Sequence, residues 1–370
     1  MTHTDGPLAG LVVADFSRVL AGPYATMMLA DMGATVIKIE RPGSGDDTRS
    51  WGPPFDTSGT ATYFNSVNRN KTSRTIDLQT SEGVREAREI VAGADILVEN
   101  FRAGTMDRLG LGFDALRKEF PRLVYCSITG FGTGDGAALP GYDLLVQAMG
   151  GLMSITGPDE KAPTKVGVAL VDIVTGLHAL TGILAAIRHR DRTEEGQQVH
   201  TSLLVSLLSA LTNQSSAYLG AGVVPTAMGN RHPSIAPYET FETADRPIAL
   251  AVGNDKQFRA LVETLGIPET ALDDRFATNT ARVRHRDLLA SRLTEELRAG
   301  GAAYWYEQLS KVGVPAGPVN SIAEAFDFAR DLGLEPAVDM PLSVAPVTRN
   351  PLDFSATPVV YDSGPPSLAP

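Results

Sequence analysis

Short apolar runs alternate with stretches of helical period over the first half of the chain. Leu11 to Phe16 (LVVADF) reads as a strand, Pro23 to Met32 as a helix and Thr35 to Ile39 (TVIKI) as a second strand. A strand–helix–strand unit with this spacing puts the two strands parallel. Ser81 to Ala92 is predicted as a helix capped by Ser81, with Glu82 in its first turn. Asp95 to Val98 and Leu123 to Ile128 follow as strands, with a helix over Phe113 to Lys118 between them. This half therefore reads as an α/β domain on a mostly parallel sheet. The turn after the first strand, RVLAGP, is not G-x-G-x-x-G, so no dinucleotide site is inferred.

Farther along, Leu144 to Met153, Ile173 to Arg188 and His200 to Ala217 read as long apolar-rich helices. GVVPTAMGNRHPSIAPYE is a Gly/Pro-rich connection to a new unit. That unit opens on Pro247 to Val252, continues with a helix over Asp255 to Leu265, and stays helical through Lys311. VGVPAGPVNSIAEA then returns to a helix starting near Ile322. The last 35 residues are proline-rich and are expected to pack on the first domain or on a partner. The expected division is a large Rossmann-like domain over 1–200, a linker over 201–235, a small α/β domain over 236–318, and a return over 319–370.

Composition narrows the function. A length of 370 residues suggests two or three domains. A net charge of −11 and a pI near 5.1 argue against a nucleic-acid binder. The single cysteine, Cys126, excludes an internal disulfide framework and a cysteine-rich metal site, and reads as a small core residue. The first residues, MTHTDGPLAG, lack an apolar signal core. No run approaches the roughly 20 apolar residues of a membrane span. A soluble, cytoplasmic protein without a bound metal is expected.

One carboxylate stands out. TKVGVALVDIVTG places Asp172 in an apolar, small-residue run, where an unpaired acid is costly to bury. Read by itself, Asp172 is a helix N-cap for the periodic segment that follows; the competing reading is a reactive group.

The opening DFSRVLAGPYATMMLADMGATVIKIERPGSGDDTR resembles the class III CoA-transferases, the group of formyl-CoA and carnitine CoA-transferases. SVNRNK, DILVENFRAGTMDRLGLG, YCSITGFG, GYDLLVQAMGGLMSITG and GVPAGPVNS resemble the same family in the same order. The resemblance implies a large α/β domain built from both chain ends, a small domain on long linkers, and two chains interlocked as rings in a homodimer. It implies a transferase whose substrates are coenzyme A thioesters and carboxylic acids, with no permanently bound cofactor. It makes Asp172 the nucleophile, forming first a mixed anhydride and then an aspartyl-CoA thioester. Gly167 and Ala169 would leave room for a thioester, and an apolar setting would protect the anhydride from water.

The same resemblance assigns the CoA contacts. Arg41 and Arg108 would meet the nucleotide and phosphates, where arginine offers paired donors. Val19, Ile76 and Leu109 would be apolar contacts, Asn100 and Phe101 would line the CoA, and Tyr142 would stand near the thioester. Two family lysines fall on Gln79 and Pro140, which makes the nucleotide grip less cationic. The chain also stops at PPSLAP, where relatives continue with G-x-H-T and a further helix.

The fold family includes α-methylacyl-CoA racemases, so an isomerase is the alternative, and a non-catalytic acyl-CoA binder a third. Racemases carry a histidine where this chain has Tyr142. A tyrosine of pKa about 10 is poorly matched to moving a proton near neutrality, and His178 reads as a helix-surface or core residue. MGNRHPSIAPYETF, GNDKQF, RTEEGQQV and DDTRSWGPPF resemble the branch containing the succinate–hydroxymethylglutarate CoA-transferase. Succinyl-CoA and a dicarboxylate such as glutarate are therefore the expected substrates. Arg18, Arg49, Arg231 and His232 are candidates to read the distal carboxylate.

Overall fold

A computed structural model of the chain describes residues 6–341 and 343–370. The reading of the first five residues lies outside the described ones. The contacts divide the molecule into two units. The first runs to Met153, resumes over Lys165–Val224 and takes in Glu335–Pro370; the second comprises Ser154–Thr164 and Pro225–Leu334. The helices expected as a linker after residue 200 thus belong to the first unit.

The first unit begins with β1 (Val12–Asp15), α1 (Ala21–Asp31) and β2 (Thr35–Glu40). Next come α2 (Thr62–Asn65), β3 (Lys71–Thr75), α3 (Ser81–Ala92), β4 (Ile96–Glu99), α4 (Thr105–Arg108), α5 (Phe113–Leu116) and β5 (Val124–Thr129). It continues with α6 (Asp143–Met149), α7 (Leu170–Thr193), β6 (Gln198–Ser202), α8 (Leu203–Ala210) and α9 (Thr212–Ala221). The strands form one parallel sheet in the order β3-β2-β1-β4-β5-β6. The order reverses between β1 and β4, and the carboxyl ends of the strands there open a crevice.

Strand alternation supplies two cores. Val13, Val36, Val98 and Cys126 face α1 and α7 through Ala25, Leu29, Ala179 and Ile183. Ala14, Leu97 and Tyr125 face the other side, with Ala87 and Val91 of α3. The expected helix from His200 is in fact β6 followed by α8, and β3 was not foreseen. The cap of α3 is Thr80, not Ser81: its hydroxyl accepts from the Gly83 N–H at 3.0 Å. By length and composition α7 could cross a membrane, contrary to expectation. Its buried face of Val171, Ala179, Ile183 and Ala186, packed in the sheet core, accounts for that apolarity.

The tail closes the first unit. Asn70, in a left-handed conformation, donates its N–H to Ser363 O at 2.9 Å and its side-chain amide to Val360 O at 2.8 Å. Buried Asp31 accepts from Arg69, Asn70 and Asn350.

The second unit holds β7 (Tyr238–Phe241), β8 (Ile248–Ala251) and, later, β9 (Ala316–Pro318) as an antiparallel sheet. Between β8 and β9 lie α10 (Asp255–Thr264), α11 (Asn279–Arg284), α12 (Arg286–Leu297) and α13 (Ala302–Lys311), and α14 (Ile322–Asp331) follows. Phe258, Leu261, Leu293, Trp305 and Leu309 form its core against Ile248 and Leu250.

Candidate active site

Asp172 is the third residue of α7, not its cap. The N-cap is Ala169, which supplies no side-chain bond. The cap comes from another helix. Asp143, the first residue of α6, accepts with Oδ1 from the N–H groups of Val171 at 2.8 Å and Asp172 at 3.3 Å. Its Oδ2 accepts from Gln147 at 2.6 Å, and Gln147 in turn accepts from the Val166 N–H at 2.9 Å. A carboxylate thus meets the orphan donors of the helix start and fixes where α7 begins. Gly176, one turn later, lets α7 lie against the start of α1: a Cβ there would sit 2.7 Å from Ala21 O.

Asp172 is therefore held partly buried beside a second acid. Burial pushes its carboxyl up, and the Asp143 charge adds to this, to about 7. Tyr63 shares the neighbourhood. Burial first, then the charges of Asp172 and Asp143, push its phenol up to about 12.

Asp172 lines a cavity of about 170 Å³ at the strand ends. Its walls are the loops after β1 (Arg18, Val19, Leu20), after β4 (Asn100 to Ala103) and after β5 (Gly130 to Gly132), with Pro140 and Tyr142. A second cavity of about 280 Å³ shares Arg18 and Phe101 with it and is lined by Arg41, Ile76, Gln79, Thr105 and Leu109. Together they make a two-chambered groove across the switch point of the sheet. Gly167, expected to leave room for the thioester, is exposed and lines neither chamber; a Cβ there would meet nothing within 4 Å.

The turn where the chambers meet is strained. Val19 has a φ of 69°, which costs a β-branched residue on the order of 1–3 kcal/mol. Asn100 clasps the turn, accepting from the Arg18 N–H at 2.9 Å and donating to Arg18 O at 2.7 Å.

The groove collects most of the residues expected of it: Asp172, Tyr142, Val19, Asn100, Phe101, Arg41, Ile76, Leu109 and Arg18. Three arginines and a histidine behave otherwise. Arg108 lines neither chamber; it is exposed on α4 and donates to the Thr105 hydroxyl at 3.1 Å. Arg49 lines neither chamber: Glu40 takes its guanidinium at 2.8 and 2.7 Å, and it lies over the Phe64 ring. Arg231 and His232 belong to the second unit, where Arg231 pairs with Glu239 and Asp287 and His232 packs beside Tyr238. Arg18 does line both chambers, with Asp47 between it and Arg41 at 3.2 Å from each. Arg102, also in the wall of the Asp172 chamber, went unnoticed in the sequence. So did Asp143 and Tyr63. Asp143 follows Tyr142 directly, but a first-turn acid is too ordinary to signal a cross-helix cap.

Among the described residues no histidine lines either chamber. His178 is exposed on α7, so Asp172 has no imidazole beside it for proton exchange at a carbon. What the site offers is a partly buried carboxylate of raised pKa in the wall of a two-chambered groove.

A family model described as CoA-transferase family III matches residues 8–369. The chain is 44% identical to the succinate–glutarate CoA-transferase of Agrobacterium fabrum, covering 100% of this chain and 94% of that one. It is 43% identical to the acetyl-CoA:oxalate CoA-transferase of Acetobacter aceti, over 86% of this chain and 82% of the relative. A CAIB/BAIF family protein from Brucella suis has a similar structure, with a TM-score of 0.89, 44% identity, and coverage of 99% and 97% of the two chains.

Proposed function

The chain belongs to CoA-transferase family III, and from that premise we propose that it moves coenzyme A from succinyl-CoA to a dicarboxylate, glutarate, through Asp172. The observation that carries the reading is Asp172 itself: a carboxylate of raised pKa at the wall of a groove that a CoA thioester would fill.

An Asp172 oxygen attacks the thioester carbonyl, and the carbon–sulfur bond breaks. The CoA thiolate leaves, and a succinyl–aspartyl anhydride remains. The thiolate then attacks the aspartyl carbonyl and releases succinate, which leaves an aspartyl-CoA thioester. The acceptor carboxylate repeats both exchanges in reverse, and Asp172 is regenerated. Val19, Asn100 and Phe101 hold the pantetheine arm, and Arg41, Ile76 and Leu109 the nucleotide end. The isomerase alternative lacks its base, since the position is Tyr142 and no histidine lines the groove among the described residues.

Both named relatives use dicarboxylates, glutarate and oxalate. Arg18 and Arg102 are the cations of the Asp172 chamber placed to meet a distal carboxylate. Neither cation is buried and Arg18 keeps Asp47 when a monoacid binds, so an ion pair of about 0.2–1 kcal/mol is at stake; at about 1.4 kcal/mol per tenfold this is up to about fivefold. Glutarate should accordingly exceed valerate by that factor in kcat/KM with succinyl-CoA as donor. Equal values would remove the dicarboxylate assignment and leave the transferase.

The interlocked homodimer is proposed alongside. Val205, Leu208, Tyr218, Leu219 and Val224 are exposed on and just past α8 and α9, apolar surface that a second copy would cover. Interlocked chains cannot part without unfolding, so sedimentation at nanomolar concentration should show dimer only. A folded monomer there would contradict the arrangement.

A further inference from the structure

We infer that the buried Lys38–Asp46 pair is a positioning device that holds the Arg18–Val19 turn in the shape that receives the acyl-CoA. The inference rests on the CoA-transferase reading and adds two residues at the wall of the nucleotide chamber whose side chains, almost wholly buried, are spent on the turn.

The peptide groups of the turn are gripped one by one. The Ser17 N–H donates to Asp15 Oδ1 at 3.0 Å, and Ser17 O accepts from Lys38 Nζ at 2.9 Å. Asn100 holds both backbone groups of Arg18. The Val19 N–H donates to Asp46, 3.3 Å from each carboxylate oxygen. Lys38 and Asp46 are themselves joined at 2.9 Å, and each side chain is 1% exposed. One ion pair thus brackets a three-residue turn: its cation takes the carbonyl at one end and its anion the N–H at the other.

A buried ion pair is a poor source of stability, because desolvation offsets the attraction, and apolar residues of similar volume often serve as well. Apolar residues could not hold a carbonyl and an N–H, however, and without those grips a left-handed valine would relax. The outer face of the turn is where the two chambers join, through Arg18. Asp47, next in sequence, takes the Arg18 side chain at 3.2 Å, so neighbouring acids fix both the backbone and the side chain of the turn.

The test is a substitution cycle on the full chain, read as the Kd for CoA by titration calorimetry, with thermal unfolding to verify the fold. Lys38→Met with Asp46→Leu removes both charges together, so that neither is left buried alone. The pair is introduced into the parent and into a Val19→Gly background. Glycine takes positive φ freely, so there the turn keeps its shape without the bracket. The double substitution should raise Kd at least tenfold in the parent and less than threefold in the Val19→Gly background. A direct contact of Lys38 or Asp46 with CoA, or a role in the fold alone, would shift Kd equally in both. Equal shifts, or no shift in either, overturn the inference. If the double variant does not fold, Asp46→Asn is run through the same two backgrounds under the same criterion. A parent chain that binds no CoA would bring down the transferase reading and this inference together.

Discussion

Asp172→Ala should lose about 10⁴-fold or more in transfer rate, the scale of removing the nucleophile from a covalent catalyst, while CoA still binds. Binding survives because the nucleotide chamber is built without Asp172, from Arg18, Arg41, Ile76, Phe101 and Leu109. Incubating the parent with succinyl-CoA alone should add CoA covalently to the protein. Hydroxylamine should displace it and mark Asp172, and mass spectrometry of the intact chain and its peptides reads both events. The variant should show neither. Undiminished transfer by Asp172→Ala would remove the aspartyl thioester from the mechanism.

Asp172→Asn should stabilise the protein at pH 8 and do little at pH 4. The sign follows from linkage. The folded carboxyl titrates near 7, above its ordinary 3.8, so the folded state holds this proton more tightly than the unfolded one. Below about pH 4 both states are protonated and nothing is lost. As pH rises from there to about 7, the folded state is progressively penalised, and above 7 the penalty is complete. Three units at 1.36 kcal/mol each set an upper bound of about 4 kcal/mol. Asp172 is only partly buried, so about 2 kcal/mol is expected. Urea unfolding of parent and variant at the two pH values measures it. A difference that does not change with pH, or a variant less stable at pH 8, would refute the raised titration of Asp172. A gain of the expected sign shows stability given up to keep a reactive carboxylate desolvated.

Asp172 was legible because it is a lone acid in an apolar run, and its neighbours on β1, β2, β4 and β5 were legible through their apolar periods. β3 and β6 were not. KTSRT buries Lys71 and Ser73, whose partners Asp15, Asn68 and Glu40 come from other elements. No hydrophobic alternation marks such a strand; its buried face is polar and satisfied at a distance. β6 was hidden differently, since the apolar run of α8 follows it without a break. Arg49 and Arg108 show the same limit for function. A guanidinium in the sequence carries no label for whether a carboxylate such as Glu40 will claim it. Lys38 did leave a visible trace, a lysine in the middle of the apolar strand TVIKI, whose meaning needed Asp46 and the Val19 turn beside it.

The tail that closes the first unit has a consequence for how the chain is made. Asn70 and its partner Val360 are 290 residues apart, and Asn350 reaches buried Asp31 across 319. At about 5–20 residues per second of synthesis, Asn70 waits on the order of 15–60 s for the residues that satisfy it. During that interval the Asp31–Arg69 pair can form only without Asn350. The first half of the sheet thus leaves the ribosome with these polar groups unsealed, and translation of Asn350 and Val360, rather than of the catalytic helix, satisfies them.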